Sequence, residues 1–360
     1  MSENRLLNLF RPEILSMSAY HVPDASQYIK LDAMENPYSW PEDLQLQWLE
    51  HLKSCPLNRY PDPEARMLAD VIRTTNDIPD TSALILGNGS DEIIQILMMA
   101  LAPTASILAP EPGFVMYRQI ARSLDLSYHG VPLIGNSFEL DLVGMLSVIE
   151  REQPALIFLA YPNNPTGNLF DTQAIQRILN LSKGLVVIDE AYAPFADSSF
   201  IHELPHHDNL LVMRTLSKLG LAGLRLGFLA GPPHLIEQFN KIRLPYNINC
   251  LTQATASFAL HNSEFLLEQT QLIRQQRTAL MSHLSSLHGI EVYPSSANFI
   301  LIKTEYKAAD TVFASLKRQG ILIKNLSPQG GLLANCLRIT IGKPEENQAF
   351  LAALEIALRE

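Results

Sequence analysis

The sequence predicts an α/β fold, with a mostly parallel sheet sandwiched by helices and a smaller α+β domain after it. Two observations carry that expectation. Between Ala65 and Ala230, short apolar runs alternate with stretches of helical spacing, the pattern of strands covered on both faces and joined by crossover helices. After Pro232-Pro233 the alternation gives way to a long helical region and then to strands and helices in quick succession. A length of 360 residues suits two such domains. The expected division is an N-terminal arm over 1–40, a large domain over 41–255 and a small C-terminal domain over 256–360, with the arm free to pack on the last.

Pro12, Pro23, Pro37 and Pro41 punctuate the arm, and no long helical period survives there. Residues 42–53 have helical spacing (Leu44, Trp48, Leu52), ended by Pro56, and a polar loop carrying Tyr60 follows. Helix is expected over 64–75 and strand over 82–86. Gly87-Asn-Gly-Ser-Asp-Glu92 then opens a helix running to 102. Strands follow at 106–109, 126–131, 155–160, 184–189, 210–214 and 226–230, with helices at 114–124, 142–153 and 171–181, the last capped by Asp171. Beyond the double proline, helix is expected over 234–242 and 252–287, broken near 261–263. Strands are then expected at 291–293, 299–303, 321–324 and 336–341, with helices at 308–319 and 345–360.

Apolar residues make up 47% and charged residues 18% of the chain, which supports an extensive core and argues against disorder. The formal charge of −10 disfavours general binding to nucleic acid or anionic membranes, but leaves room for a local basic pocket. Cys55, Cys250 and Cys336 lie far apart, with no Cys or His spacing suited to a metal. Neither a metal nor a disulfide framework is expected, and a reducing compartment fits. Met1-Ser-Glu-Asn-Arg5 is not a basic segment leading into an apolar one. The longest apolar stretch, 93–110, is interrupted by Gln95, Pro103 and Thr104. The expectation is a cytoplasmic protein.

The chemistry centres on Thr215-Leu-Ser-Lys-Leu-Gly-Leu-Ala-Gly-Leu-Arg-Leu-Gly227. Lys218 follows a buried strand, with the hydroxyls of Thr215 and Ser217 before it and Arg225 after it. Its amine can attack a carbonyl, and the hydroxyls and guanidinium can hold an anion nearby. In open α/β sheets, ligands sit beyond the carboxyl ends of the strands, and three further motifs fall there. Gly87-Asn-Gly-Ser-Asp91 starts a helix whose backbone N–H groups suit a phosphate. Tyr161-Pro-Asn-Asn-Pro-Thr-Gly167 offers the Asn164 amide. Asp189 closes an apolar strand, with Tyr192 just beyond. A carboxylate there requires a positive or protonated partner, and a protonated heterocyclic nitrogen would serve.

In order and spacing, the glycine loop, Asn-Pro-Thr-Gly, Asp-x-x-Tyr, Ser-Lys and Gly-Leu-Arg-x-Gly resemble the fold-type I pyridoxal-phosphate aminotransferases over nearly the whole chain. The resemblance implies a large domain with a mostly parallel seven-stranded sheet, the cofactor pyridoxal 5′-phosphate and a homodimer. It implies that Lys218 forms the Schiff base with the cofactor and that Asp189 pairs with the ring nitrogen. Asn164 and Tyr192 would bond the ring's phenolic oxygen. Ser90, Asp91, Thr215, Ser217 and Arg225 would surround the phosphate, and Phe114 would stack on the ring. Tyr60 would reach across the dimer to the neighbour's cofactor phosphate.

Within that family the chain most resembles the histidinol-phosphate aminotransferases. The stretches that carry this are Leu31-Asp-Ala-Met-Glu-Asn-Pro37, Asn58-Arg-Tyr-Pro61, Ala297-Asn-Phe-Ile300 and Cys336-Leu-Arg-Ile-Thr-Ile-Gly342. Met34 stands where the usual pattern has asparagine. Arg338 is implied as the anion-binding arginine, with a fork suited to phosphate or carboxylate. Lys324 falls near an arginine of the relatives, and Tyr20 would close over substrate from the arm. The implied reaction is transamination between L-histidinol phosphate and 2-oxoglutarate, with Lys218 as base at Cα. An aromatic amino-acid aminotransferase, a threonine-phosphate decarboxylase and a non-catalytic ligand sensor are the alternatives at this point.

Overall fold

A computed structural model of the chain describes residues 6–19 and 23–360. Its centre is a seven-stranded sheet made of β2 (Ala83–Gly87), β3 (Ser106–Glu111), β4 (Ser127–Pro132), β5 (Leu156–Ala160), β6 (Leu185–Asp189), β7 (Leu210–Thr215) and β8 (Gly227–Gly231). Across the sheet the order is β2-β8-β7-β6-β5-β3-β4. The pairs from β7 through β6, β5 and β3 to β4 are parallel, while β8 runs antiparallel to both β7 and β2. This is the expected mostly parallel, seven-stranded sheet. All five residues of β5 are buried, as an unbroken Leu-Ile-Phe-Leu-Ala run requires between two helical layers.

The expected helices form to within a few residues. Asp171 caps Thr172–Leu181 by accepting from the backbone amides of Gln173 and Ala174. The long helical region divides into Cys250–His261 and Glu264–Ser286. Glu264–Ser286 begins against the large core through Phe265 and Leu266 and continues into a second core through Ile273, Leu280 and Leu284. That second core lies on a four-stranded antiparallel sheet ordered β12 (Lys324–Asn325), β13 (Cys336–Thr340), β10 (Phe299–Thr304), β9 (Ile290–Val292).

One expectation needs correction. The strand expected over 321–324 is two short strands separated at Ile323, because its halves serve different partners. β11 (Ile321–Leu322) pairs in parallel with β1 (Ile29–Lys30) of the arm, and β12 pairs with β13. The continuous apolar run hides that change of partner. No helix among the described residues is long and apolar enough to cross a membrane.

Candidate active site

The carboxyl ends of β5, β6 and β7 open onto one cavity, lined by Met34, Ser90, Asp91, Phe114, Asn164, Asp189, Tyr192, Thr215, Ser217, Lys218 and Arg225 among others. Ten of the fourteen residues singled out from the sequence therefore meet there.

Asp189 is the last residue of β6 and is 4% exposed. Its Oδ2 accepts from Tyr117 Oη at 2.5 Å and its Oδ1 from the amide of Ala191 at 3.1 Å. Burial pushes the Asp189 carboxyl up to about 6, against those two hydrogen bonds, which hold it down. Lys218 lies half-buried in the turn after β7, with Nζ donating to the Ala33 carbonyl at 3.3 Å and standing 5.8 Å above the Tyr192 ring. Burial brings the Lys218 ammonium down to about 8, and the positive charge of Arg338 acts in the same direction. A lysine in that range has a substantial neutral, nucleophilic fraction near pH 8.

On the opposite wall, Asn164 Nδ2 donates to Tyr192 Oη at 3.0 Å, while Asn164 Oδ1 accepts from Arg338 Nη1 at 2.6 Å. Burial raises the Tyr192 phenol, so it stays protonated. Arg338, on β13, also donates through Nη2 to the Asp32 carbonyl at 3.1 Å, and its guanidinium lies 5.3 Å from the Phe299 ring centre. Lys324 pairs with Arg338 across β12 and β13. Directly opposed residues of an antiparallel pair share a face, so two cations stand side by side behind Asn164.

The third wall is an anion cradle. Helix Gly89–Met99 begins at the end of β2 and puts Ser90 and Asp91 in its first turn, where backbone N–H groups have no partner within the helix. Arg225 Nη2 meets Asp91 Oδ2 at 3.3 Å and its Nη1 meets Ser217 Oγ at 3.4 Å. Thr215 Oγ1 bonds Ser217 Oγ at 3.0 Å. Gly89 has φ +80, and a Cβ there would fall 2.5 Å from Arg225 Nη2. A side chain at Gly227 would come within 2.9 Å of the Ser90 amide nitrogen. The two glycines let the helix start, the arginine and β8 converge.

Of the described singled-out residues, Lys324 and Tyr60 join Arg338 in standing outside this lining. Lys324 stands beside Arg338 as described. Tyr60 is 81% exposed and stacks on Tyr246 with ring centres 4.5 Å apart. Tyr20 lies outside the described residues. Met34, which stands where the usual pattern has asparagine, has φ 53 and a backbone tied on both sides. Its N–H donates to Thr340 Oγ1 and its carbonyl accepts from Asn298 Nδ2, each at 2.9 Å. The position is thus held through its backbone, and the methionine side chain forms apolar wall.

Sequence reading missed two sets of residues. One is Tyr117, visible only as part of an amphipathic helix. The other is the pair Glu190 and Arg214, 2.8 Å apart beneath the site. Their neighbours stand out, Asp189 as a carboxylate closing a strand and Thr215 as a hydroxyl before Lys218, but nothing in a single sequence links positions 24 residues apart.

The general model of the class I and II aminotransferases matches residues 26–354. The chain belongs to that family. Among similar members, the histidinol-phosphate aminotransferase 2 of Nitrosococcus oceani is 54% identical over 99% of both chains. The histidinol-phosphate aminotransferase 1 of Burkholderia mallei is 48% identical over 98% of both. The crystal structure of histidinol-phosphate aminotransferase from Sinorhizobium meliloti in complex with pyridoxal-5′-phosphate superposes with a TM-score of 0.86 at 24% identity, covering 97% of each chain. As a class I and II aminotransferase, the chain has the shared fold, with the cavity at the carboxyl ends of its parallel strands.

Proposed function

We propose that this aminotransferase is pyridoxal-phosphate-dependent and moves an amino group between L-histidinol phosphate and 2-oxoglutarate, giving imidazole-acetol phosphate and L-glutamate in histidine biosynthesis. The observation that carries the proposal is the convergence of Lys218, Asp189 and the Arg225 cradle on one cavity, in a chain about half identical to proteins named for that reaction. The residues suit the cofactor. Asp189 is a buried carboxylate in want of a cationic partner, Lys218 is an amine made less basic by burial, and Ser90, Thr215, Ser217 and Arg225 form an anion cradle at a helix start.

Pyridoxal phosphate, when bound, supplies an aldehyde that takes up amino groups and a ring that accepts the electrons left at Cα. The chain's residues do the rest. Asp189 would pair with the ring nitrogen and keep it protonated. Asn164 and Tyr192 would hold the ring's phenolic oxygen, Phe114 would cover the ring, and Asp91, paired with Arg225, would order that arginine for the phosphate. Lys218 would hold the cofactor through its amine, and its Nζ would be the base that takes the proton from substrate Cα and returns it. Arg338 grips the carboxylate of glutamate or the phosphate of histidinol phosphate, with Lys324 adding positive charge.

The arm residue Tyr20 would close over substrate. A homodimer belongs to the same reading. Leu57, Tyr60, Met67, Leu244, Tyr246 and Leu251 are exposed on the abutting segments around 57–67 and 244–251, a concentration that favours a partner surface. Tyr60 would then serve the neighbour's phosphate. A biosynthetic role fits a cytoplasmic setting.

The names of the relatives favour histidinol phosphate over aromatic amino acids and over decarboxylation of threonine phosphate. The test is borohydride trapping of cofactor-loaded protein with peptide mapping, alongside turnover of histidinol phosphate, phenylalanine and threonine phosphate. The expected outcome is a pyridoxyl group on Lys218 and preferred turnover of histidinol phosphate. Label on another lysine discards the site, and preference for another substrate discards the substrate.

A further inference from the structure

Tyr117 has no part in the roles assigned so far, yet it makes the shortest contact to Asp189, 2.5 Å from Oη to Oδ2. It is 1% exposed. Its ring stacks on Phe158 of β5 with centres 4.4 Å apart and planes 12° apart, and meets Phe114 edge-on at 5.4 Å. The two aromatic contacts fix the ring so that its hydroxyl can reach little besides Asp189. Burial, and then the charge of Asp189, raise the phenol well above its usual range, so it remains a neutral donor.

We propose that Tyr117 is a positioning residue for the transamination, holding the Asp189 carboxylate in the orientation and charge state that the cofactor's ring nitrogen requires. The inference rests on the pyridoxal-phosphate reading of Asp189 above.

Besides burial, Asp91 from helix Gly89–Met99 and the adjacent Glu190 disfavour charge on Asp189. The hydrogen bonds from Tyr117 and the Ala191 amide favour it. The amide is backbone and fixed by the fold, which leaves Tyr117 as the side chain that sets the balance. Phe114 precedes helix Val115–Ser123 and Tyr117 is its third residue, so one helical turn carries both the proposed ring cover and the donor to the proposed ring-nitrogen partner. Removing the hydroxyl lets Asp189 take up a proton and turn, which weakens its hold on a cationic nitrogen while leaving the substrate's anion contacts intact.

The test is full-length Tyr117→Phe, which keeps the ring stack and deletes only the donor. Loss of a hydrogen bond to a charged group should weaken pyridoxal phosphate binding about tenfold. The pH titration of the bound cofactor's near-visible absorbance should shift by about half a unit or more. The kcat should fall, with KM for both substrates held. Cofactor affinity within about twofold of wild type together with a superposable absorbance titration overturns the proposal. So does weaker binding with an unmoved titration, since that pattern means packing alone.

Should the variant not fold, 3-fluorotyrosine at position 117 of the otherwise native, cofactor-free chain gives a second reading. Its fluorine resonance should titrate near the Asp189 value of about 6 and lose that titration in Asp189→Asn. A flat resonance in the native background rejects the coupling. Borohydride labelling separates this proposal from its foundation. No label on Lys218 defeats the cofactor reading, whereas label on Lys218 with Tyr117→Phe behaving as wild type defeats only the role of Tyr117.

Discussion

Arg338 is fixed before any substrate arrives. Its two terminal nitrogens go to different elements, Asn164 Oδ1 after β5 and the Asp32 carbonyl after β1, and its plane lies against Phe299. A guanidinium can keep such contacts and still offer an N–H to a carboxylate or phosphate, because its donors form a rigid planar fork. An ammonium has a single nitrogen and cannot span the same acceptors. Arg338→Lys should therefore raise KM for both glutamate and histidinol phosphate by about ten- to a hundredfold, the loss of one strong charged hydrogen bond or more. The effect on kcat should be smaller. Steady-state kinetics with each substrate checks this, and an unchanged KM for both would remove Arg338 from the anion site.

The ends of β6 and β7 show how the elements hold the site. Successive residues of a strand face opposite ways. Asp189 and Thr215 turn into the cavity, and their neighbours Glu190 and Arg214 turn under it. Glu190 accepts from Arg214 Nε at 2.9 Å, Ser199 Oγ at 2.9 Å and the Phe200 amide at 2.5 Å, with no side-chain exposure. Arg214 completes the knot through Ser199 Oγ and Asn76 Oδ1. Breaking a buried ion pair from one side leaves an uncompensated charge, at about 3–5 kcal/mol. Arg214→Met should lower the free energy of unfolding by about that amount, read from urea denaturation. A loss under about 1 kcal/mol would mean that water reaches Glu190.

This layer was the part that sequence could not supply. The alternating pattern gave the sheet, and the ordered motifs gave Lys218, Asp189, Asn164 and Arg225. Those are signals of local spacing. Glu190 with Arg214, Tyr117 with Asp189 and Lys324 with Arg338 are contacts made by chain closure, and each residue alone reads as an ordinary strand or helix position. The break at Ile323 escaped for the same reason, since pairing with the arm is a long-range choice.

At the scale of the molecule, the fold tolerates a site that opposes folding. Three buried clusters of apolar side chains enclose the seven-stranded and four-stranded sheets, and within that shell stand a carboxyl raised from 3.8 to about 6 and an amine lowered from 10.5 to about 8. Both shifts mark charges that the folded state holds less well than water does. For Asp189, the folded value lies above the unfolded one. Its favourable protonated contribution is complete below pH 3.8 and is lost as pH rises through about 6.

For Lys218 the folded value lies below the unfolded one. The unfolded chain binds the extra proton between about 8 and 10.5, so stability rises with pH across that window, and below it the charged amine is a standing cost. A side chain that cannot ionise removes this cost. Lys218→Met should make the cofactor-free protein more resistant to urea near neutral pH, by on the order of 2 kcal/mol, while abolishing transamination. The gain should fade as pH climbs from about 8 towards 10.5, because the wild-type amine then sheds its charge in the folded state. The measurement is the urea midpoint of both proteins at several pH values with the slope unchanged. Equal midpoints at neutral pH would mean that the lysine charge is well solvated, and the nucleophilicity assigned to Lys218 would need another source.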